Sequence, residues 1–246
     1  MKNNHYTALI RLGTPVVIGQ IGNLVLNFAD TFMIGHHSTM ELAAASFVNN
    51  IFVLVILFAL GFNFALTPII GPFIGREEHD KAGGVMKAAA YANTMLTIGL
   101  VVSAVAFYFT LPFFGQPDEL LPLMKPYLLV NILSIPFAVA GCQFKQFFDT
   151  IGRTKVSMYV LVSANILNIV GNYAFIYGHW GCPELGLLGA GLSTAVSRIV
   201  IALSFFIIYV RSKSCRVFFN GTVNAKGCEV KTHFRKINTL GWMSAI

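Results

Sequence analysis

The chain has 246 residues, of which 56% are hydrophobic and only 11% are charged, and its mean hydropathy is +0.70. A soluble domain carries about 25% charged residues, so this composition excludes a water-soluble globular protein and a disordered chain. The formal net charge is +7. Basic residues in a membrane protein usually mark its cytoplasmic side, so this charge does not predict a nucleic-acid partner.

Long apolar runs recur along the sequence, and each has about the 20 residues that an α-helix needs to cross a bilayer. Transmembrane β-strands are shorter and alternate in polarity, so the runs favour helices. The sequence therefore predicts an all-α, polytopic membrane protein in which residues 1–210 form a six-transmembrane-helix bundle. The predicted spans cover roughly residues 13–35, 46–72, 88–111, 127–148, 156–178 and 189–210.

The distribution of lysine and arginine predicts the orientation of these spans. Fourteen of the seventeen basic residues fall in the amino end, in the second and fourth loops and in the segment after the sixth span, whereas only Lys125 falls in the other loops. The basic side of a membrane protein usually faces the cytoplasm. We therefore predict a multi-pass protein of the plasma membrane (the bacterial inner membrane) with both ends in the cytoplasm.

The polarity changes again after the sixth span. Residues 211–238 have mixed polarity and are predicted to be a cytoplasmic linker. Residues 239–246 turn apolar and are predicted to begin a seventh helix that the sequence does not complete. This interpretation makes the chain the amino-terminal half of a longer transporter, either as a fragment or as a natural truncation.

The first span carries polar residues at helical spacing. Gln20, Asn23, Asn27 and Asp30 are three or four residues apart, so they are predicted to lie on one face of the helix. Asp30 is the only acidic residue well inside a predicted span. An ionisable group inside a membrane must face a partner, a cavity or an ion, so Asp30 is the first candidate functional residue. Arg198 is a second charge at depth, and it either pairs with Asp30 or faces a cytoplasmic gap.

The fifth and sixth spans carry polar residues at matching depth. Asn165, Asn168 and Asn172 share one face of the fifth span, and Thr194 begins at a similar depth in the sixth. Together with Asp30, these residues predict a polar chamber in the outer half of the bundle. A purely structural role stays open for each amide, because asparagine, serine and threonine also join membrane helices to one another.

Four parts of the sequence resemble the multidrug and toxic compound extrusion (MATE) family, in the family's order and topology. Together they extend from about residue 12 to residue 211. They are LGTP at 12–15 with NFADTFMIG at 27–35 in the first helix, FDTIGRT at 148–154, NILNIVGNYAFIYG at 165–178 in the fifth helix and ELGLLGAGLST at 184–194.

The resemblance implies one six-helix lobe of a twelve-helix transporter, with the carboxy-terminal lobe as a missing partner. Such transporters expel small cationic, amphipathic, drug-like compounds in exchange for H+ or Na+, which is the coupling ion, and they use no other cofactor. The family's essential acid falls on Asp30, and its polar pair in the fifth helix falls on Asn168 and Asn172. One branch of the family has an aspartate where Asn172 stands, so this chain resembles the NorM-like branch, and the identity of the ion stays open.

The resemblance also implies roles for the polar residues of the spans. The residues expected to couple the cation or proton are Asp30, Asn27, Asn168, Asn172 and Thr194, with Asp30 as the candidate Na+ ligand. The residues expected to line the substrate cavity are Gln20, Asn23, Asn165 and Arg198. Two alternatives stay open: a lipid-linked oligosaccharide flippase of the same superfamily, and an inactive, truncated half-transporter. An enzyme is not expected, because the spans contain no evident nucleophile–base pair or metal-binding set.

Overall fold

A computed structural model describes the backbone of residues 2–245, and the side chains of residue 10 and of residues 13–245. Over this range the chain is helical and has no β-strand, which confirms the all-α prediction. The side chains of Lys2 and Arg11, which contribute to the predicted orientation, lie outside the described residues, and so do Met1 and Ile246. The helices are α1 (Lys2–His37), α2 (Thr39–Phe64), α3 (Leu66–Gly75), α4 (His79–Thr110), α5 (Leu121–Thr150), α6 (Thr154–Tyr177), α7 (Leu187–Arg211), α8 (Arg216–Asn224) and α9 (Gly227–Ala245).

Six segments of the described chain are long and apolar enough to cross a membrane, as predicted. The second of them, Thr39–Gly75, is broken at Ala65 between α2 and α3. Pro68 accounts for this break, because proline has no N–H to donate to the carbonyl four residues earlier and its ring clashes with that carbonyl. The other segments are Gly13–His37, His79–Phe114, Leu121–Thr150, Thr154–Tyr177 and Leu187–Arg211.

Five of the spanning helices form a ring. Helix α1 packs against α6, α6 against α7, α7 against α5, and α5 against α2, which returns to α1. Helix α4 lies outside the ring, where it packs against α3 and α5. Side chains that point into the ring at one depth therefore come from five different helices.

Two glycines allow α6 and α7 to approach each other closely. A Cβ atom at Gly171 would overlap the Oγ atom of Ser193, and a Cβ atom at Gly189 would overlap the carbonyl oxygen of Phe175. Small residues commonly permit such close packing between membrane helices. The contact brings the polar face of α6 directly against the first turns of α7.

A buried amide network connects α4 to the ring. Asn63 of α2 and Asn93 of α4 exchange hydrogen bonds of 3.0 and 2.9 Å, and Asn93 also donates to Gln143 of α5 at 3.1 Å. All three side chains are buried. Buried amides are costly without partners, so this network favours one mutual arrangement of the three helices. The sequence interpretation did not single out these residues.

The segment expected to be a linker contains two helices that pack on the bundle. Helix α8 lies against α4, where the Thr222 hydroxyl donates to the carbonyl oxygen of Gly83 at 2.9 Å. Helix α9 packs against α2 and α4, and it begins at Gly227, before the predicted start of the seventh helix at residue 239. The rings of Phe62 and Trp242 meet edge to face at 6.0 Å. The division into residues 1–210, 211–238 and 239–246 stays a prediction.

Candidate functional site

The carboxylate of Asp30 lies at the interface of α1 and α6. The side-chain nitrogen of Asn172 donates a hydrogen bond of 2.5 Å to Oδ1 of Asp30. Asn172 is fully buried, whereas Asp30 is partly buried. A neutral amide thus holds a membrane-embedded acid about two turns before the end of α1.

A second amide from α6 approaches the same carboxylate. With its nitrogen turned towards Asp30, Asn168 donates to Oδ1 at 3.0 Å, and its oxygen accepts from the backbone nitrogen and the hydroxyl of Thr194, each at 3.2 Å. The opposite orientation would direct the amide oxygen of Asn168 towards the amide nitrogen of Asn172 and leave Asp30 with one donor. An ionised carboxylate only accepts hydrogen bonds, so the hydrogen-bond network favours the first orientation.

Helix α7 supports this arrangement through two neighbouring residues. The Ser193 hydroxyl donates to the backbone carbonyl of Asn168 at 3.2 Å, next to the contact between Asn168 and Thr194. The close approach at Gly171 makes these hydrogen bonds possible. Asp30, Asn168, Asn172 and Thr194 therefore form one hydrogen-bonded cluster that joins α1, α6 and α7.

One oxygen in this cluster has an unused lone pair. Oδ1 of Asn172 is buried and accepts no hydrogen bond from any described residue. Buried polar atoms are nearly always satisfied, so an exception indicates a place where a proton donor or a cation fits. Carboxylate, amide and hydroxyl oxygens are ligands that suit hard cations, and all three types occur in the cluster. The cluster is chemically suited to bind a proton or Na+ at Asp30.

A second contact between α1 and α6 lies deeper along the two helices. The side-chain nitrogen of Asn165 donates to Oδ1 of Asn23 at 3.2 Å. The pairs Asn23–Asn165 and Asp30–Asn172 are both separated by 142 residues in sequence, so α1 and α6 run parallel and in register over two turns. The structure brings these two predicted cavity residues together, but in contact with each other rather than with Asp30.

Asn27 does not join the cluster, in contrast to the sequence-based expectation, and Gln20, which was expected to line the substrate cavity, also lies apart from Asp30. Both side chains are exposed, and neither makes a hydrogen bond to Asp30. At 3.6 residues per turn, they are rotated about 40–80° around α1 from Asn23 and Asp30. Spacing of three and four residues keeps four side chains within one broad stripe, but α6 covers only the part of the stripe that contains Asn23 and Asp30. Gln20 instead lines a small cleft with Lys145.

Arg198 lies on α7, one turn beyond Thr194, and contacts α5 and α2. Its Nη1 donates to Oδ1 of Asn131 at 3.2 Å and to Oγ of Ser134 at 2.5 Å. The guanidinium carbon lies 4.4 Å from the centre of the Phe52 ring. No carboxylate of the described chain lies within 4.0 Å of the guanidinium. The direct pair of Arg198 with Asp30, one of the two options that the sequence left open, is therefore not formed.

The sequence analysis did not identify three residues that contact the polar side chains inside the ring. Tyr127 of α5 donates to Oδ1 of Asn49 on α2 at 2.9 Å, Ser193 supports Asn168, and Phe52 covers Arg198. Tyrosine and serine are common in membrane helices, and Phe52 cannot be distinguished in sequence from the lipid-facing phenylalanines. Only the positions of α2, α5 and α7 within the ring identify these contacts.

Comparison with known proteins decides the family. A family model described as MatE matches residues 15–174. The chain belongs to the MatE family. This confirms the resemblance that the sequence motifs indicated.

MatE relatives support the same assignment. The probable multidrug resistance protein NorM of Photorhabdus laumondii is 28% identical over 210 residues, which cover 85% of this chain and 46% of that protein. The probable multidrug resistance protein NorM of Bacillus subtilis is 31% identical over 203 residues, which cover 82% of this chain and 45% of that protein. The chain therefore spans about half the length of the curated MatE relatives that it matches.

The fold is also that of a MatE structure. The crystal structure of the eukaryotic MATE transporter AtDTX14 matches 98% of this chain with a TM-score of 0.86 and 16% sequence identity, and the match covers 52% of that structure. The six-helix bundle therefore corresponds to about half of a MATE transporter. This match concerns the fold alone.

Proposed function

We propose that the chain forms the amino-terminal lobe of a cation-coupled antiporter that exports small cationic, amphipathic, drug-like compounds. The coupling ion is H+ or Na+, and it binds at Asp30. The multidrug resistance proteins to which the chain is similar support the transport role. The missing partner is a carboxy-terminal lobe that lies with this one in the lipid bilayer.

The contact between Asp30 and the amides of α6 carries the proposal. An isolated carboxylate inside a membrane costs roughly 2.5–3.5 kcal/mol on insertion scales, so its retention favours a role that needs charge. Binding of H+ or Na+ neutralises this charge. The unpartnered oxygen of Asn172 and the hydroxyl of Thr194 are the neutral ligands that help to hold the ion.

Coupling follows from the connection between the ion site and the helix contacts. When Asp30 is charged, it accepts strong hydrogen bonds from Asn168 and Asn172 and holds α1 against α6. When Asp30 is neutral, these hydrogen bonds weaken, and α1 gains freedom to move relative to α6 and α7. Antiport requires that the ion and the drug favour different conformations of the transporter, and this change at α1 supplies such a difference.

The orientation of the lobe follows from its charges. The basic amino end, the second and fourth loops and the segment after α7 face the cytoplasm, so the Asp30 cluster lies in the outer half of the bilayer. We propose the bacterial inner membrane as the location. An inward-directed ion gradient then delivers H+ or Na+ to Asp30 from the outer side, which is the side at which the drug leaves.

The decisive experiment measures gradient-driven drug transport by the complete product of the native gene in proteoliposomes. Asp30→Asn keeps the size of the side chain and removes its charge, so we expect ion-dependent efflux to fall to the background level. Asp118→Asn, the same change in a loop outside the spans, is the matched control and should retain full efflux. Undiminished efflux by D30N would exclude Asp30 as the coupling residue.

The same experiment tests the two alternatives. An inactive half-transporter would show no efflux even as the unaltered protein. A lipid-linked oligosaccharide flippase would move lipid-linked sugars and leave cationic drugs untransported. The flippase alternative predicts a strongly cationic cavity. Among the polar side chains described above inside the ring, however, Arg198 is the one basic group, and its hydrogen-bond partners are a neutral amide and a hydroxyl.

A further inference from the structure

The guanidinium of Arg198 has more hydrogen-bond donors than partners. Arginine carries five N–H groups and stays protonated in proteins. Asn131 and Ser134 both bind Nη1, so Nε and Nη2 have no acceptor among the described residues. The side chain is partly exposed, and neither free nitrogen is among the buried atoms without partners. The free edge of the guanidinium therefore reaches accessible space.

The surroundings of Arg198 orient this free edge. Phe52 covers one face of the guanidinium at 4.4 Å, while Asn131 and Ser134 hold the Nη1 end. A guanidinium fixed in its plane presents Nε and Nη2 side by side, which is the geometry that binds both oxygens of a carboxylate. Preorganisation of this kind lowers the entropy cost of binding.

Charge also favours an anionic ligand at this position. All side chains that contact Arg198 in the described structure are neutral, so no direct ion pair balances its positive charge. Asp30 is not available as a partner, because it lies beyond ion-pair distance and accepts the short hydrogen bond from Asn172. A charge without a direct ion-pair partner at this depth is costly, and a ligand carboxylate would offset that cost.

On the basis of the proposed function, we propose that Arg198 is a substrate-binding residue that pairs with a carboxylate of the transported compound. The preferred substrates of the lobe are then zwitterionic amphiphiles, which carry a carboxylate in addition to their cationic group. Compounds that carry only a positive charge bind without this contact and are repelled by the guanidinium.

The test compares two probes that differ in one group. A rhodamine dye with a free carboxylate and its methyl ester are measured separately, with the complete native product in proteoliposomes. Arg198→Gln should lower transport of the acid relative to the ester by roughly tenfold or more, because a hydrogen-bonded charge pair is lost. Arg198→Lys keeps the charge without the planar fork and should give an intermediate ratio. Arg211→Gln, at the end of the same helix, is the control and should leave the ratio unchanged.

The outcomes separate this inference from the proposed function. If the unaltered protein transports neither dye, the proposed function fails. If it transports both and R198Q slows both equally, Arg198 acts on the transporter as a whole and the substrate contact is overturned. If R198Q does not fold, a fluorescence titration of the unaltered protein with the two dyes provides the test. A lower affinity for the acid than for the ester would then overturn the substrate contact. Inhibition of acid transport by millimolar acetate or phosphate in the unaltered protein, but not in R198K, would assign the site to free anions instead.

Discussion

Asn172 and Asp30 are joined by a hydrogen bond of 2.5 Å across the parallel interface of α1 and α6. The same interface contains the pair Asn23–Asn165 two turns deeper, at the same sequence separation. Two similar amides of α6 thus make equivalent contacts, but only one of them binds a carboxylate. This difference allows the functional and the structural roles of the interface to be tested separately.

We expect Asn172→Ala to reduce ion-driven transport at least about tenfold, because it removes both a hydrogen bond to the charged Asp30 and the unpartnered oxygen beside it. Asn165→Ala removes a neutral contact with Asn23 and should leave the ion dependence of transport unchanged. Both variants should be less stable than the unaltered protein by about 1–3 kcal/mol, since each leaves a partly buried partner without its hydrogen bond. Transport assays and thermal unfolding in detergent distinguish the two effects. Equal transport by both variants would refute a special role for Asn172.

The packing of α6 on α7 predicts a steric defect and its rescue. Gly171→Ala places a Cβ atom on the Ser193 hydroxyl, so we expect a loss of about 1–3 kcal/mol of stability. The additional change Ser193→Ala removes the overlapping oxygen and should recover most of this loss. Gly99→Ala in α4 is the control, because a Cβ atom there meets no atom within 4 Å and alanine favours a helix. Thermal unfolding of these three variants and of the unaltered protein provides the measurement, and a stable single variant G171A would show that α6 and α7 are not closely packed.

Three of the four cysteines allow the predicted orientation to be tested. Cys182 lies in the loop before α7, and Cys228 is exposed on α9. In single-cysteine variants, an impermeant maleimide should label Cys182 in intact cells and Cys228 only after permeabilisation. Cys215 is buried, and burial raises the pKa of its thiol, so it should stay unlabelled while the protein is folded. Labelling of Cys228 in intact cells would reverse the orientation.

Much of this protein's organisation follows from its sequence alone. The number and positions of the spanning helices are encoded in the lengths of the apolar runs, because each backbone amide within a bilayer must be paired inside a helix. The importance of Asp30 is equally visible, since an acidic residue stands out against an apolar span. Matching depths of Asp30, Asn168, Asn172 and Thr194 also follow from counting residues along predicted helices.

The tertiary structure decided which of these polar residues meet. Helical spacing placed Gln20, Asn23, Asn27 and Asp30 in one stripe, but the width of the α1–α6 contact admits only Asn23 and Asp30. Spacing also could not decide the partner of Arg198, because its long side chain reaches several helices. The ring order of α2, α5 and α7 gives it Phe52, Asn131 and Ser134 instead of Asp30. Sequence periodicity specifies the direction of a side chain on its own helix, whereas its partners depend on how the helices pack together.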